Sequence, residues 1–202
     1  MSDTGPLERI VPEILERFAA KNAAREQALA ASRVIIRTSA NAIRAVHRGE
    51  FDAARRLIAE ARATHEAAVR ALEGHADIYH AGFLHDAQKE YAEAVTTFEL
   101  CSGGAIPGPA ELGVEDAAYL NGIGEAVGEL RRVILDRLRA GSFEGCEALL
   151  AAMDDIYGVL VTIDYPDAMT GGLRRTTDQV RGILEKTRGD LTLAILTRRA
   201  AG

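Results

Sequence analysis

The chain has 202 residues, a formal net charge of −6, and 48% hydrophobic but only 5% aromatic residues. That charge balance excludes a protein that coats nucleic acid by bulk attraction, so any nucleic-acid surface has to be local. The length fits a single domain spanning 1–202 that can bury a core without staples, and no apolar run reaches the roughly 18 residues a membrane span needs, so a cytoplasmic protein without membrane contact is expected.

Alanine, leucine, arginine and glutamate dominate the composition, which favours packed helices. From about Leu7 to Arg48 the spacing predicts one long helix or two joined ones, with Pro12 tolerable in the first turn and Gly49 as the stop. A second helix is predicted from Asp52 to Glu73 before Gly74, and a third from Asp77 to Leu100. Ser102 to Leu112, with its glycines and prolines, reads as an irregular loop. A fourth helix follows from Val114 to Ala140 and a fifth from Phe143 to Ile163, broken by Tyr165-Pro166, and the last runs from Leu173 to Leu196. Neither strand alternation nor a repeat of fixed period is visible, so the expected fold class is all-α, a single domain of about six or seven helices.

On the first helix Ala28, Ala31, Ile35, Ala42 and Val46 share a core side. Arg33, Arg37, Arg44, His47 and Arg48 fall in a sector of about 100° opposite. Guanidinium groups along one edge suit a phosphate backbone, and a solvated face paired with Glu26 and Glu50 is the competing reading. In the third helix Ala87, Tyr91, Ala94, Val95 and Phe98 form the apolar face and leave Glu90 and Glu93 on a flank. In the fourth, Ile123, Ala126, Val127, Leu130 and Ile134 are the apolar face, with Glu125 and Glu129 one turn apart on a flank. Facing each other, the two pairs would form a four-carboxylate cage for Mg²⁺ or Mn²⁺, and a metal there would activate water for phosphodiester cleavage. Two solvated glutamate pairs are the plainer alternative.

Gly122, Gly124 and Gly128 each destabilise a helix interior by about 0.5–1 kcal/mol relative to alanine, so close helix approach or ligand access is expected there. Their spacing does not fit a dinucleotide fingerprint, and no strand precedes them. His75, His80 and His85 spread around a helix instead of forming a metal site, and Cys101 and Cys146 read as buried, inert thiols.

Ser32-Arg33-Val34-Ile35-Ile36-Arg37 with Ala45-Val46-His47-Arg48-Gly49-Glu50 resembles the N-terminal signature of the translin family. Glu90-Tyr91-Ala92-Glu93-Ala94 is similar to the E-Y-V-E-A segment of the Trax-type subunits. Tyr119-Leu120-Asn121-Gly122 through Gly128-Glu129-Leu130-Arg131-Arg132 resembles the Y-L-x-G…G-E-L-x-R block, and Gly172-Leu173-Arg174-Arg175 with Asp178 continues the match. The resemblance implies an all-α array of about seven helices and a closed, hollow homo-oligomer such as an octamer that binds single-stranded RNA or DNA. For Trax-type members it implies a Mg²⁺-dependent endoribonuclease. Carried over, Glu90, Glu93 and Glu125 become catalytic residues and metal ligands, with Glu129 a further ligand and Mg²⁺ or Mn²⁺ the cofactor. The basic stripe of Arg33, Arg37, Arg44, His47 and Arg48, read from helical spacing, supplies the candidates for strand binding or for subunit contacts. Glu125 stands where the family has aspartate, and Asn121 and Gly124 replace bulkier or more apolar residues. The alternative is a translin-type binding oligomer without catalysis.

Overall fold

Helical spacing of alanine and leucine produces, among the described residues of the computed structural model (backbone 5–201, side chains 7–200), six long helices, three single-turn helices and no strand. They are α1 (Gly5–His47), α2 (Phe51–Ala71), α3 (Ala76–Tyr79), α4 (Phe83–Ser102), α5 (Pro109–Leu112), α6 (Asp116–Arg139), α7 (Cys146–Leu160), α8 (Asp167–Thr170) and α9 (Leu173–Ala201). The expected all-α class is found, with local differences. α1 is one uninterrupted helix that continues through Pro12, which therefore lies inside it and not in its first turn. The predicted third helix is divided into α3 and α4 because Gly82 takes φ 97°, a value outside the helical region. A turn of helix, α5, forms inside the predicted loop, and α9 continues past Leu196 to Ala201.

Packing runs from α2 to α1, from α1 to α4, from α4 to α6, and from α6 to α7 and α9. One apolar cluster joins Ile35 of α1, Ala61 of α2, Tyr91 and Val95 of α4, and Leu112 of α5. A second joins Val127 and Leu130 of α6, Met153 of α7, and Val180 and Leu184 of α9. The α4–α6 seam lies between these two cores. α4 is the innermost helix, with every residue from Tyr91 to Phe98 buried. A helix covered on all sides cannot keep its polar residues on a wet flank. Glu93 is consequently buried, contrary to the flank position its spacing alone suggests.

No helix among the described residues is long and apolar enough to cross a membrane. Cys101 and Cys146 are free, and burial pushes both thiols up, Cys101 to about 11. That keeps them protonated and poorly nucleophilic at neutral pH.

Candidate metal and phosphodiester site

The seam between α4 and α6 closes tightly because Gly122 has no side chain. A Cβ placed there would come within 2.6 Å of the Lys89 carbonyl oxygen and 2.8 Å of the Ala92 Cβ. Backbone contact at this point draws Glu125, one turn further along α6, toward Glu90 and Glu93 of α4. One carboxylate oxygen from each of these three residues lies within 4.8 Å of the other two. At an effective dielectric of about 20, two unit charges at that separation repel by about 3 kcal/mol. Three pairs of this kind cannot all remain ionised without a compensating cation.

Protonation of the deepest group relieves part of that repulsion. Burial, followed by the charges of Glu90, Glu125 and Glu129, pushes the Glu93 carboxyl up to about 8, with Lys89 opposing. Glu90 is also raised, chiefly by burial, against the pull of Lys89. Lys89 supplies an internal counter-charge, with its Nζ 2.8 Å from Glu125 and 3.9 Å from Glu90. Burial draws the ammonium down, but the bond to Glu125 and the surrounding acids outweigh it and hold Lys89 above its ordinary value. Lys89 was not singled out from the sequence. Its position four residues before Glu93, on the same helix face, is the signal that marks it.

Glu129 lies outside the cluster of Glu90, Glu93 and Glu125, so the four-carboxylate cage is not formed. His47 of α1 is the reason: its Nε2 is hydrogen-bonded to the Glu129 carboxylate, and this bond holds Glu129 below the usual carboxylate range. The same contact removes His47 from the basic stripe. Its ring is 5% exposed and faces inward, whereas Arg33, Arg37, Arg44 and Arg48 are exposed. On the helical wheel His47 lies at the edge of the arginine sector next to the core-facing Ile43, and an acidic partner on α6 draws it across the boundary. Arg48 pairs with Glu50 at 2.7 Å, and Arg44 donates to the Asn41 side chain at 2.8 Å. Glu26 pairs with Arg25, off the stripe.

The three glycines of α6 serve different ends. Gly122 admits α4. Gly124 admits α9, since a Cβ there would meet the Thr176 methyl at 2.5 Å. Gly128 faces open space, with nothing within 4 Å of an added Cβ. Asn121 and Gly124, two of the three departures from the family pattern, act together. Thr176 packs on the bare backbone of Gly124 and donates its hydroxyl hydrogen to Asn121 Oδ1 at 2.6 Å. Asn121 Nδ2 in turn donates to the Thr170 carbonyl at 2.8 Å, which ties the α8–α9 turn onto α6.

The donor set suits a hard divalent cation: carboxylate oxygens from two rigid helices, close enough to share one ion, with an excess of negative charge that such an ion would neutralise.

No family model matches the chain. An uncharacterized protein of Methanocaldococcus jannaschii, MJ0175, is 31% identical over 188 residues, covering 90% of this chain and 81% of that protein. The crystal structure of AfC3PO superposes with a TM-score of 0.87 at 33% identity, covering 93% of this chain and 98% of that one. AfC3PO solved as a duplex RNA complex gives a TM-score of 0.82 at 31% identity over 93% and 97% of the two chains. Apo-NeC3PO, at 22% identity and a TM-score of 0.77 over 96% and 100%, shares the fold. Near-complete mutual coverage of translin/Trax-type structures at this identity, together with the ordered sequence motifs, shows that the chain belongs to the translin family.

Proposed function

We propose that this chain is a Mg²⁺-dependent endoribonuclease that cleaves single-stranded RNA within a closed homo-oligomer. The carrying observation is the convergence of Glu90, Glu93 and Glu125 within 4.8 Å at the α4–α6 seam. The relation to AfC3PO, solved with duplex RNA, supports RNA as the ligand class. Mg²⁺ or Mn²⁺ held there would supply Lewis-acid stabilisation of charge on the phosphate and lower the pKa of water. Glu90 and Glu125 offer half-buried oxygens at the cluster's rim, and Glu93 closes it from below. Glu93 would give up its proton to such a cation, because the ion would replace the proton in balancing the neighbouring charges. Lys89, paired with Glu125 in the metal-free chain, would leave that carboxylate to the cation and stay close enough to screen charge on the phosphate. Glu129, fixed by His47, contributes a field at Glu93 and no ligand oxygen in this arrangement.

An oligomer is supported by a row of apolar side chains on α1 that this chain leaves uncovered: Leu7, Val11, Leu15 and Phe18 are 59%, 46%, 60% and 62% exposed. They recur at helical spacing along one face, as an interface does and a solvated helix does not.

One observation favours the second reading, a binding oligomer without catalysis: Lys89 already occupies the mouth of the cluster and could serve as its permanent cation. Cleavage of labelled single-stranded and duplex RNA, with Mg²⁺, with EDTA, and by Glu93→Gln, separates the two. The nuclease reading expects product that disappears under both perturbations. Salt-sensitive binding with no product under any condition would leave the binding reading standing.

A further inference from the structure

Beside the carboxylate cluster, on the far side of Glu125, a pocket of about 540 Å³ lies between α4, α6 and the start of α9. His85, Lys89, Asn121, Glu125, Arg175 and Gln179 line it. Its charges are arranged unevenly. The α4–α6 wall carries Glu125 with Lys89 bonded to it, and Asp86 nearby. The α9 wall carries Arg175, which is exposed and has no carboxylate partner among the described residues. Arg174 beside it is instead paired with Asp164 at 3.2 Å.

What sets Arg175 apart from the other exposed arginines is its place in the wall of this pocket, where its guanidinium is open to an anionic group entering the pocket. Its placement is not loose. Asn121 binds the Thr170 carbonyl and accepts from Thr176, while the Thr176 methyl fills the space that Gly124 leaves. These contacts fix the register of α9 against α6, and with it the position of Arg175 opposite Glu125. His85 packs against the Gly171 backbone at the pocket's rim, its Cε1 3.3 Å from where a Cβ would stand.

We propose that this pocket is a phosphate subsite for the RNA strand. In it Arg175 offers forked donors to the backbone phosphate next to the one at the carboxylate cluster, with Gln179 and His85 as further hydrogen-bonding partners. This inference rests on the RNA reading above and deepens it: it names the residue on the opposite wall that seats the strand. A guanidinium suits this role because its paired N–H groups match two phosphate oxygens. Glu125 on the facing wall repels phosphate, so the strand is held to the α9 side and leaves the carboxylates free for a cation.

The test is equilibrium binding of a short fluorescent single-stranded RNA in EDTA, where the proposed cation-dependent cleavage is silent, titrated over a range of monovalent salt. Arg175→Gln is expected to weaken binding about tenfold and to lower the slope of log affinity against log salt by about one. Arg175→Lys should retain that slope. Arg174→Gln should bind as the parent chain does. Wild-type affinity and slope in Arg175→Gln, or an equal loss in Arg174→Gln, overturns the subsite. The cation-dependent rise in Tm, which reads the carboxylate cluster, is expected to be unchanged in Arg175→Gln. A loss of Tm or of that rise would mean the arginine is structural and would also overturn the assignment. Because nothing is cut without the cation, failure of the nuclease reading shows separately, as wild-type chain that binds this RNA in EDTA but leaves it intact when Mg²⁺ is added.

Discussion

A glutamate that releases its proton at about 8 is mostly neutral at physiological pH, and this property of Glu93 can be measured. Its ordinary value is 4.5, so the folded state holds a proton that the unfolded chain has lost over the interval between the two values. The stability this provides is fully present below about pH 4.5, declines as pH rises, and is lost above about 8. Glu93→Gln, which is neutral at every pH, is expected to flatten that decline and to stabilise the metal-free protein on the order of 2–4 kcal/mol near pH 8. Thermal melts at low and high pH check it, and equal pH dependence in both proteins contradicts it. The same substitution is expected to lower RNA cleavage about 100-fold or more. Cation affinity should rise about tenfold per pH unit up to about 8 and level off above, since one proton is displaced on binding. Calorimetric titration with Mg²⁺ at several pH values reads this directly. Lys89→Met removes the internal counter-charge, so it should lower the metal-free Tm and enlarge the rise in Tm produced by Mg²⁺.

At the scale of the helix, two glycines of α6 make opposite predictions although they look alike in sequence. Gly122→Ala drives a methyl into the Lys89 carbonyl and the Ala92 side chain, and neither backbone can move without opening the seam. A loss of about 1–3 kcal/mol is expected, together with loss of cation binding as Glu125 moves away from Glu90 and Glu93. Gly128→Ala meets nothing within 4 Å and gains helix propensity, so it should stabilise by about 0.5–1 kcal/mol. Chemical denaturation of the two variants gives the comparison, and equal effects would contradict the assignment of Gly122 to close approach.

At the scale of the molecule, the α1 segment before Lys21, which pairs with Asp77 of α3, extends past the helices that cover the remainder of α1, and it carries exposed Leu15 and Phe18. Leu15→Asp with Phe18→Asp is expected to reduce the proposed assembly to smaller species in light scattering while leaving helix content unchanged, because neither side chain is part of this chain's core. An unaltered mass would place the subunit contact elsewhere. The exposed arginines Arg33 and Arg37 lie further along α1, where their replacement would test strand binding apart from assembly.

Helix identity and the inward faces of α1, α4 and α6 were legible in the sequence because both follow from local spacing: Ile35, Tyr91, Val127 and Leu130 occupy the buried positions that helical periodicity assigns to them. The family motifs also drew attention to Glu90, Glu93 and Glu125. Which of the four glutamates meet was decided by tertiary structure. A helical wheel shows which side a carboxylate takes, but not where a second helix crosses. That crossing is set by Gly122 against the α4 backbone, and α1, an element far away in sequence, delivers His47 to withdraw Glu129 from the cluster. The burial of Glu93 likewise required α4 to be covered on every side, a property of the packed array and not of the residues of α4 alone.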